Sequence, residues 1–562
     1  MTERAMTDTI AATDISKLGA GPGLISPQTL DVAAYIEDFN TNVIDAYRRG
    51  VADVDLPADM GVGRSLIAPA TAGTRDFSAL SPLIPQFTAD KCVGCMACVS
   101  ACPDSAIFAT AQPKGSLAKA IDGFAATQAD PKLANDTAKS HFVHTTKYAD
   151  VPAKKGLEGA DFGLFIDPYH CKGCAECVDV CVAQGHDALA MVEKCDAEAT
   201  GECTLDRYRR DITFYKSLPP TPVEYRNEKV LADLMLGENA FGFVGGGGSC
   251  SGCGEGTVVR MVVAATLQTY GPQSMGIVAE TGCNTVFAST YPYNPFTIPW
   301  TNSLFENGPA DAMGVRLRWD QAGHEDRRLW VIGGDGAMYD IGFQSLSRLV
   351  ASGMDVKVLV LDTGVYSNTG GQASTASFTA QVSKLAAYGK AEHGKSEKRK
   401  ELGRIMIAHG DVYVAQVAAC TINHLYKAVM EANAYPGPAV IIAYAPCMPE
   451  HGIPDDAANR QAKLAVDSRA FPLFTYDPRR GSSLAERLSL QGNPAVKEDW
   501  TKSPDGSTYD FISFAKTEAR FGQHFDKEGS PSVELQRAQE DRLHNWQTLQ
   551  ELAGVLRTPA GH

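Results

Sequence analysis

The 562-residue sequence lacks several features that mark common classes of protein. It has no apolar run near the roughly 18 residues that a membrane-spanning helix requires. Its first residues, MTERAMTDTIAATD, place charges where a secretory signal has its apolar stretch. It also lacks an excess of positive charge, because 51 Lys and Arg stand against 66 Asp and Glu, a net charge of −15. We therefore expect a cytoplasmic protein with neither a membrane nor a nucleic acid as its main partner.

The sequence is, by contrast, rich in cysteine, with 15 residues that are not expected to form disulfides in a reducing compartment. Two segments repeat the spacing C-x₂-C-x₂-C-x₃-C: Cys92, Cys95, Cys98 and Cys102 form the first motif, and Cys171, Cys174, Cys177 and Cys181 the second. In two-cluster ferredoxins the fourth cysteine of each motif binds the neighbouring cluster. The spacing therefore predicts one [4Fe–4S] cluster on Cys92, Cys95, Cys98 and Cys181, and another on Cys171, Cys174, Cys177 and Cys102. Zinc sites, which use two C-x₂-C pairs, fit less well.

The two motifs differ in the residue after the fourth cysteine. Pro103 follows the first motif, as is usual for this pattern, whereas Val182 follows the second. Because proline helps the chain turn away from a cluster, we expect the valine to change the environment of a cluster and leave its ligation intact.

Composition and periodicity divide the chain into five segments. We predict a helical and extended segment at 1–80, a two-cluster ferredoxin-like domain at 81–205, a connector at 206–230, an α/β domain at 231–460 and an extension at 461–562. In the first segment the apolar spacing of 30–50 predicts an amphipathic helix, and 533–556 is also expected to be helical.

The fourth segment alternates between strand and helix patterns. Strands are expected at MGIVAETG, RRLWVIGGDG, VKVLVLDTG, VYVAQVA and AVIIAYAP, and helices at GEGTVVRMVVAATLQTYG, DIGFQSLSRLVASG and TINHLYKAVMEANA. Gly271 and Gly353 suit helix C-caps. This alternation predicts an α/β fold with a doubly wound parallel sheet and ligands at the carboxyl ends of its strands, preceded by the smaller α+β ferredoxin-like domain.

Two of these strand ends carry the residues expected of a diphosphate site. Asp335 lies between Gly334 and Gly336 after one strand, and DTGVYSNTGGQ follows the next. A Mg²⁺ ion that bridges phosphates prefers a carboxylate and neutral oxygens. Asp335, Thr363, Asn368 and the carbonyl of Val365 could supply them, while the glycine turns expose N–H groups to phosphate. The GDG…N combination resembles thiamine-diphosphate enzymes.

Four further cysteines lie in loops of the same domain: Cys250 and Cys253 in GGGGSCSGCGEG, Cys283 in TGCNT and Cys447 in AYAPC. Loops at one edge of a sheet can bring them together beside the diphosphate site. On spacing alone this set predicts a third cluster, although CSGC also suits a redox dithiol or half a zinc site. Cys420 is the competing fourth ligand, but its apolar surroundings favour packing. Cys195 and Cys203 could pair with each other or bind a metal, but we expect them to be inert thiols.

Residues from about 50 to 530 resemble the C-terminal portion of pyruvate:ferredoxin oxidoreductase, in the 2-oxoacid:ferredoxin oxidoreductase superfamily. The motifs are the paired cysteine strings, GGGGSCSGCGEG, TGCNT, GGDGAMYDIGF, LDTGVYSNTGGQ, AYAPC and FPLFTYDPR. The resemblance implies a third [4Fe–4S] cluster on Cys250, Cys253, Cys283 and Cys447. It also implies that Asp335, Thr363 and Val365 bind Mg²⁺. Glu255 and Asn368 are implied to line the thiamine and substrate pocket, and they are the candidate catalytic residues. Further candidate cofactor-binding residues are Cys253, Gly334 and Gly336.

The resemblance further implies the oxidation of a 2-oxo acid, most simply pyruvate, with coenzyme A as co-substrate and ferredoxin or flavodoxin as acceptor. The family's pyrimidine-binding and coenzyme A-binding parts have no counterpart in this sequence. We therefore expect a partner subunit that carries them, in a hetero-oligomer with two copies of each chain. Two rival hypotheses are an electron-transfer subunit with an inactive α/β domain and a decarboxylase that releases free aldehyde. A third alternative is the same chemistry on another 2-oxo acid, such as 2-oxoglutarate or indolepyruvate.

Overall fold

A computed structural model describes residues 32–56, 66–194, 204–237, 242–503 and 505–555. The predicted helix at 30–50 is present from Val32 as α1 (Val32–Asp38), a π-helical turn (Phe39–Ile44) and α2 (Asp45–Arg48), followed by α3 (Ala52–Asp55). Its buried side chains Phe39, Val43 and Ile44 form a small core that Tyr291 and Tyr293 cover. Among the described residues, no helix is both long and apolar enough to cross a bilayer.

The segment with the two cysteine motifs contains two small antiparallel sheets. Strands β1 (Leu83–Phe87) and β5 (Leu189–Glu193) form one, and β2 (Ile107–Pro113), β4 (Ala160–Ile166) and β3 (Phe142–His144) form the other in that order. The helices of this region are α4 (Ala97–Ala101), α5 (Lys114–Ala125), α6 (Pro131–Ser140), α7 (Val151–Ala153), α8 (Glu176–Ala183) and α9 (Thr204–Ser217).

The predicted connector begins with a helix. In α9 the residues Ile212 and Phe214 are buried in a cluster with Phe165 of β4 and Leu117 and Ile121 of α5. Arg207, Arg209 and Arg210 precede these apolar positions, and Ile212 and Tyr215, three residues apart on one side of the helix, pack in the same cluster.

The rest of the chain is built on an eight-stranded sheet with the order β13-β12-β10-β11-β9-β8-β6-β7. Its strands are β6 (Met275–Glu280), β7 (Trp300–Ser303), β8 (Arg328–Gly334), β9 (Lys357–Asp362), β10 (Tyr413–Ala418), β11 (Ala439–Tyr444), β12 (Phe474–Tyr476) and β13 (Leu488–Ser489). The six strands from β10 to β7 run parallel, β12 pairs antiparallel with β10, and β13 pairs antiparallel with β12. The expected doubly wound α/β fold is confirmed, with all five predicted strands present.

Helices cover both faces of this sheet. They are α10 (Leu231–Leu234), α11 (Gly254–Tyr270), α12 (Cys283–Ala288), α13 (Gly308–Gln321), α14 (Phe343–Ser352), α15 (Leu402–Ile407), α16 (Ile422–Ala434), α17 (Met448–His451), α18 (Ala458–Asp467), α19 (Leu484–Arg487), α20 (Phe511–Ala515) and α21 (Val533–Leu552). A two-stranded ribbon, β14 (Thr501–Lys502) and β15 (Thr508–Tyr509), lies in the extension. Gly271 and Gly353 follow α11 and α14 with positive φ, as expected of C-caps.

Alternate residues of each parallel strand enter different cores. Trp330 and Ile332 of β8 face the core that contains α11 and α16, whereas Val331 faces the core that contains α14 and α15. Because the first core also includes Ile84, Met96 and Val99 of the cysteine-rich region, helix α11 joins the two parts of the protein. The carboxyl ends of β6, β8, β9 and β11 lie at one edge of the sheet, directly beside this junction.

Candidate functional site

Twelve cysteines line three cavities. The outer cavity contains Cys92, Cys95, Cys98 and Cys181; the middle cavity contains Cys102, Cys171, Cys174 and Cys177; the inner cavity contains Cys250, Cys253, Cys283 and Cys447. Each group of four is the set that the sequence predicted for one cluster, including the exchanged fourth cysteines of the two motifs. Cys95 of the outer cavity is exposed, whereas Cys102, Cys171 and Cys177 are buried.

The two ferredoxin-type motifs adopt the same backbone conformation. Gly94 and Gly173 have φ values of +71°, and Met96 and Ala175, just before α4 and α8, have φ values of +69° and +68°. These left-handed turns wrap the chain around each cavity. A Cβ at Gly173 would lie 2.2 Å from Ser81 Oγ, so this glycine is required by space as well as by φ.

The residue after the fourth cysteine changes how each motif ends. Helix α4 ends at Ala101, and Cys102 is extended before Pro103, as expected because the residue before a proline avoids helical angles. Helix α8 instead continues through Cys181 and Val182 to Ala183, and Val182 is 60% exposed. The valine thus lengthens the helix beside the outer cavity, and Cys181 still lines that cavity.

Burial makes these thiols poor acids on their own. It raises the pKa of Cys92 to about 11 and those of Cys171 and Cys447 to about 12. Such sites favour thiolates only when a cationic centre binds them. In the described part of the chain, no three or more His, Cys, Asp or Glu side chains are arranged to hold a metal ion by themselves. A [4Fe–4S] cluster, which needs one thiolate per iron and brings its own sulfide, suits the four-cysteine cavities.

A second cavity adjoins the inner one. The inner cavity measures about 210 Å³ and the neighbouring diphosphate cavity about 200 Å³. The diphosphate cavity is lined by Gly334, Asp335, Gly336, Val365 and Tyr366, among others, and four residues line both cavities: Glu255, Cys283, Ser367 and Asn368. The predicted cluster and diphosphate sites are therefore immediate neighbours.

Oxygen atoms converge around Asp335, which lines the diphosphate cavity, and Thr363, which lines the inner cavity. Thr363 Oγ1 lies 3.1 Å from Asp335 Oδ1 and 2.9 Å from the Val365 carbonyl oxygen, and Ser374 Oγ donates to Asp335 Oδ2 at 2.5 Å. Burial, and then the charge of Asp362, raises the pKa of Asp335 to about 8. A divalent cation would stabilise this buried carboxylate, so the donor set fits Mg²⁺.

The glycines beside Asp335 differ in their surroundings. A Cβ at Gly334 would meet nothing within 4 Å, whereas one at Gly336 would lie 2.8 Å from the Tyr366 ring. A π-helical turn, Gly336–Ile341, follows directly and precedes α14, where the sequence had predicted the helix from residue 340. Asn368 is exposed and lines both cavities. Among the described residues, no hydrogen bond joins its side chain to Asp335.

Glu255 lies between the two cavities in the first turn of α11. It is 5% exposed, and its Oε2 has no hydrogen-bond partner within the described protein. Burial, and then the charge of Asp335, raises its pKa to about 8. An orphaned carboxyl oxygen that lines both cavities fits a polar group of a bound cofactor or substrate.

Several residues that the sequence analysis missed support these loops. Ser374 binds Asp335, His451 Nε2 lies 2.7 Å from the Thr363 carbonyl, and Lys172 reaches from the second motif to the loop before Cys250. Each lies far along the chain from its partner, and although Lys172 stands within the second cysteine motif, no local spacing predicts these contacts. Cys420 packs against the core on the other side of the sheet, and Cys195 and Cys203 lie outside the described residues.

The fold and the site together define an iron–sulfur protein with a thiamine pyrophosphate-binding α/β domain. The model "Thiamine pyrophosphate enzyme, C-terminal TPP binding domain" matches residues 280–443, and "4Fe-4S binding domain" matches 85–108. Over most of its length the chain is similar to the pyruvate:ferredoxin and pyruvate-flavodoxin oxidoreductases.

Three relatives illustrate the extent of the similarity. Pyruvate:ferredoxin oxidoreductase of Moorella thermoacetica is 30% identical over 76% of this chain and 39% of its own length. The probable pyruvate-flavodoxin oxidoreductase of Escherichia coli is 30% identical over 73% of this chain and 37% of its own length. The Rhodospirillum rubrum pyruvate-flavodoxin oxidoreductase is 27% identical over 95% of this chain and 47% of its own length. The chain thus spans less than half the length of these curated relatives.

Proposed function

We propose that this chain is the iron–sulfur and thiamine pyrophosphate-binding subunit of a 2-oxoacid:ferredoxin oxidoreductase. The proposed reaction converts pyruvate, coenzyme A and oxidised ferredoxin into acetyl-CoA, CO₂ and reduced ferredoxin, with flavodoxin as the alternative acceptor. The names of the relatives, which combine pyruvate with ferredoxin or flavodoxin, support this choice of substrate and acceptor.

The observation that carries the proposal is the shared wall between the inner and diphosphate cavities. Glu255, Cys283, Ser367 and Asn368 line both. A cofactor anchored at Asp335 would therefore have its reactive end next to four cysteines. This arrangement suits oxidation of a substrate by a cluster, and a decarboxylase that releases aldehyde has no need of it. It also argues against an α/β domain that is only a scaffold.

In this proposal each group of residues has a defined task. Asp335, Thr363 and the Val365 carbonyl hold Mg²⁺, and Gly334 and Gly336 let the backbone approach the diphosphate. Bound thiamine pyrophosphate supplies the electron sink for decarboxylation of the 2-oxo acid. Glu255 and Asn368, which line both cavities, would contact the cofactor and the substrate.

The twelve cysteines hold three [4Fe–4S] clusters, which form a path from the inner cavity through the middle cavity to the outer one. The outer cavity suits the exit to a soluble acceptor, because Cys95 and Val93 beside it are exposed. We further propose that the protein works in the cytoplasm, where reduced cysteines persist. We also propose that 81–205 and 231–460 form the bodies of the two domains, to which helix α9 and strands β12 and β13 are added.

We propose that a partner subunit supplies the pyrimidine-binding and coenzyme A-binding parts, in a complex with two copies of each chain. Exposed apolar side chains at the two cavities support a covering partner. Val286 of the inner cavity is 45% exposed and Ile341 of the diphosphate cavity 54% exposed, and Leu304, next to the cavity residue Phe305, is 58% exposed. Apolar surface at the mouth of a polar site is typical of an interface.

The test uses the complex purified without oxygen and a panel of 2-oxo acids, with acyl-CoA formation and dye reduction measured together. We expect pyruvate to be preferred and both products to depend on coenzyme A. In the complex, Asp335→Ala should lose thiamine pyrophosphate and turnover while it keeps its iron. Asp311→Ala, an exposed change on α13, is the matched control. Unchanged thiamine content and turnover in Asp335→Ala would show that the α/β domain is not catalytic, and free aldehyde without acyl-CoA would identify a decarboxylase.

A further inference from the structure

A buried lysine connects the middle and inner cavities. Lys172 follows Cys171, and only 3% of its side chain is exposed. Its Nζ lies 2.7 Å from Asp104 Oδ1 and donates to the carbonyl oxygens of Gly247 at 3.0 Å and Ser249 at 2.6 Å. Ser249 Oγ lies at 3.0 Å. The ammonium group is thus surrounded by protein acceptors, and water has little part in its solvation.

The partners of Lys172 belong to both sites. Lys172 and Asp104 line the middle cavity, and Ser249 lines the inner cavity directly before Cys250. Ser249 Oγ also donates to Asp104 Oδ1 at 3.3 Å. The loop that carries Cys250 is therefore fastened to the two motifs by a charged network that lies between the cavities.

A charge in this position acts on electron transfer. Reduction of a cluster adds one negative charge, which a nearby cation stabilises and a nearby anion destabilises. Because Lys172 and Asp104 are buried, solvent screens their effects only weakly. Glu176 also lines the middle cavity, where its carboxyl oxygens accept the backbone N–H groups of Ala458 and Asn459, and this residue is retained in every variant considered below.

We propose that Lys172 is a positioning residue that holds the Cys250 loop against the middle cluster and raises the reduction potential of that cluster. The higher potential favours the transfer of one electron from the reduced inner cluster to the oxidised middle cluster, with no proton or further reactant required. This inference rests on the proposed function, which supplies the clusters.

The experiment is a potentiometric titration of the full chain, purified without oxygen and followed by electron paramagnetic resonance. A unit charge about 10 Å from a cluster, at an effective dielectric constant of about 20, changes the equilibrium constant for one-electron reduction of that cluster roughly tenfold. For a one-electron couple, tenfold corresponds to about 59 mV. We expect Lys172→Met to move one reduction wave to a lower potential by roughly that amount, and Asp104→Asn to move the same wave to a higher potential.

Lys91→Met is the matched control, because Lys91 also adjoins a cluster motif but is 47% exposed in its pair with Asp187. Because solvent screens the charge of Lys91, the Lys91→Met variant should leave the reduction wave that Lys172→Met shifts at its wild-type potential. Lys172→Arg should restore most of the wild-type potential. Opposite shifts from the two middle-cavity variants separate the charge effect from structural damage, which would move the wave in one direction for both.

The inference is overturned if Lys172→Met and Asp104→Asn, each with normal iron content, leave the potential of every reduction wave unchanged. It is also overturned if both variants shift the wave in the same direction. If Lys172→Met loses iron or fails to fold, Asp104→Asn alone decides, because it must still show the upward shift. Wild-type protein with about 12 iron atoms and unmoved variant waves would refute only this inference. Wild-type protein without iron would refute the proposed function and this inference with it.

Discussion

The buried pair of Arg399 and Asp362 offers a quantitative test of how the diphosphate loops are held. Asp362 ends β9, next to Thr363, and is 0% exposed. Its Oδ2 accepts from the Arg399 guanidinium and from the Tyr339 hydroxyl, which comes from the turn after Asp335. The pair therefore joins the two loops whose oxygens line the diphosphate cavity.

Replacing Arg399 with methionine would keep much of the volume but leave a carboxylate in the core without its cation. Burial lowers the pKa of Arg399, but the charge and hydrogen bond of Asp362 outweigh it and the pKa lies above its ordinary value. Breaking a buried pair by removing one partner costs about 3–5 kcal/mol, chiefly because the remaining charge stays unpaired. We expect a loss of that size in the free energy of unfolding of Arg399→Met, and weaker binding of thiamine pyrophosphate.

The assay is urea unfolding of the full chain followed by tryptophan fluorescence, together with a thiamine-binding titration. Arg399→Met combined with Asp362→Asn should recover most of the lost stability, because the unpaired charge is then gone. Arg348→Met, an exposed change on helix α14, provides the control. A loss below about 1 kcal/mol in the single variant, or a double variant no more stable than the single one, would refute the reasoning.

Two further predictions concern acid stability and the inner cavity. Burial lowers the pKa of His424 to about 4 in the folded chain, whereas it is about 6.5 in the unfolded chain. Between these values only the unfolded chain binds the proton. The free energy of unfolding should therefore fall by about 2 kcal/mol between pH 7 and pH 5. His424→Gln should remove that part of the pH dependence in urea unfolding, and an unchanged profile would contradict it. A Cβ at Gly246, where φ is +83°, would lie 1.9 Å from the Ala72 carbonyl oxygen, so Gly246→Ala should displace the Cys250 loop and lose about four iron atoms. Gly247→Ala, whose nearest contact would be 3.5 Å away, should keep its iron, and equal iron content in the two variants would contradict the assignment.

Much of the fold follows from local sequence patterns. Continuous apolar runs such as VKVLVLD predict strands buried on both faces, and these strands form the centre of the parallel sheet. The short strands β7, β12 and β13 lack such runs, and they depend on neighbours that the sequence does not reveal. Helix α9 was missed because its arginines obscure the apolar positions that pack on the small sheet.

The functional site likewise has residues that the sequence predicts and residues that it does not. The motif cysteines and Asp335 could be identified because their chemistry needs a fixed local spacing, and the structure groups them around common cavities. Ser374, Arg399 and Lys172 could not, because each meets its partner through the tertiary fold. Ser374, for example, binds a carboxylate 39 residues away, and no local spacing encodes that contact.

The most direct test of the account is the iron and acid-labile sulfide content of the full chain, purified without oxygen. Three four-cysteine cavities, each with one [4Fe–4S] cluster, predict about 12 iron atoms and about 12 sulfides per chain. A value near 8 would contradict the central claim, because the cavity of Cys250, Cys253, Cys283 and Cys447 would then hold no cluster beside the thiamine site.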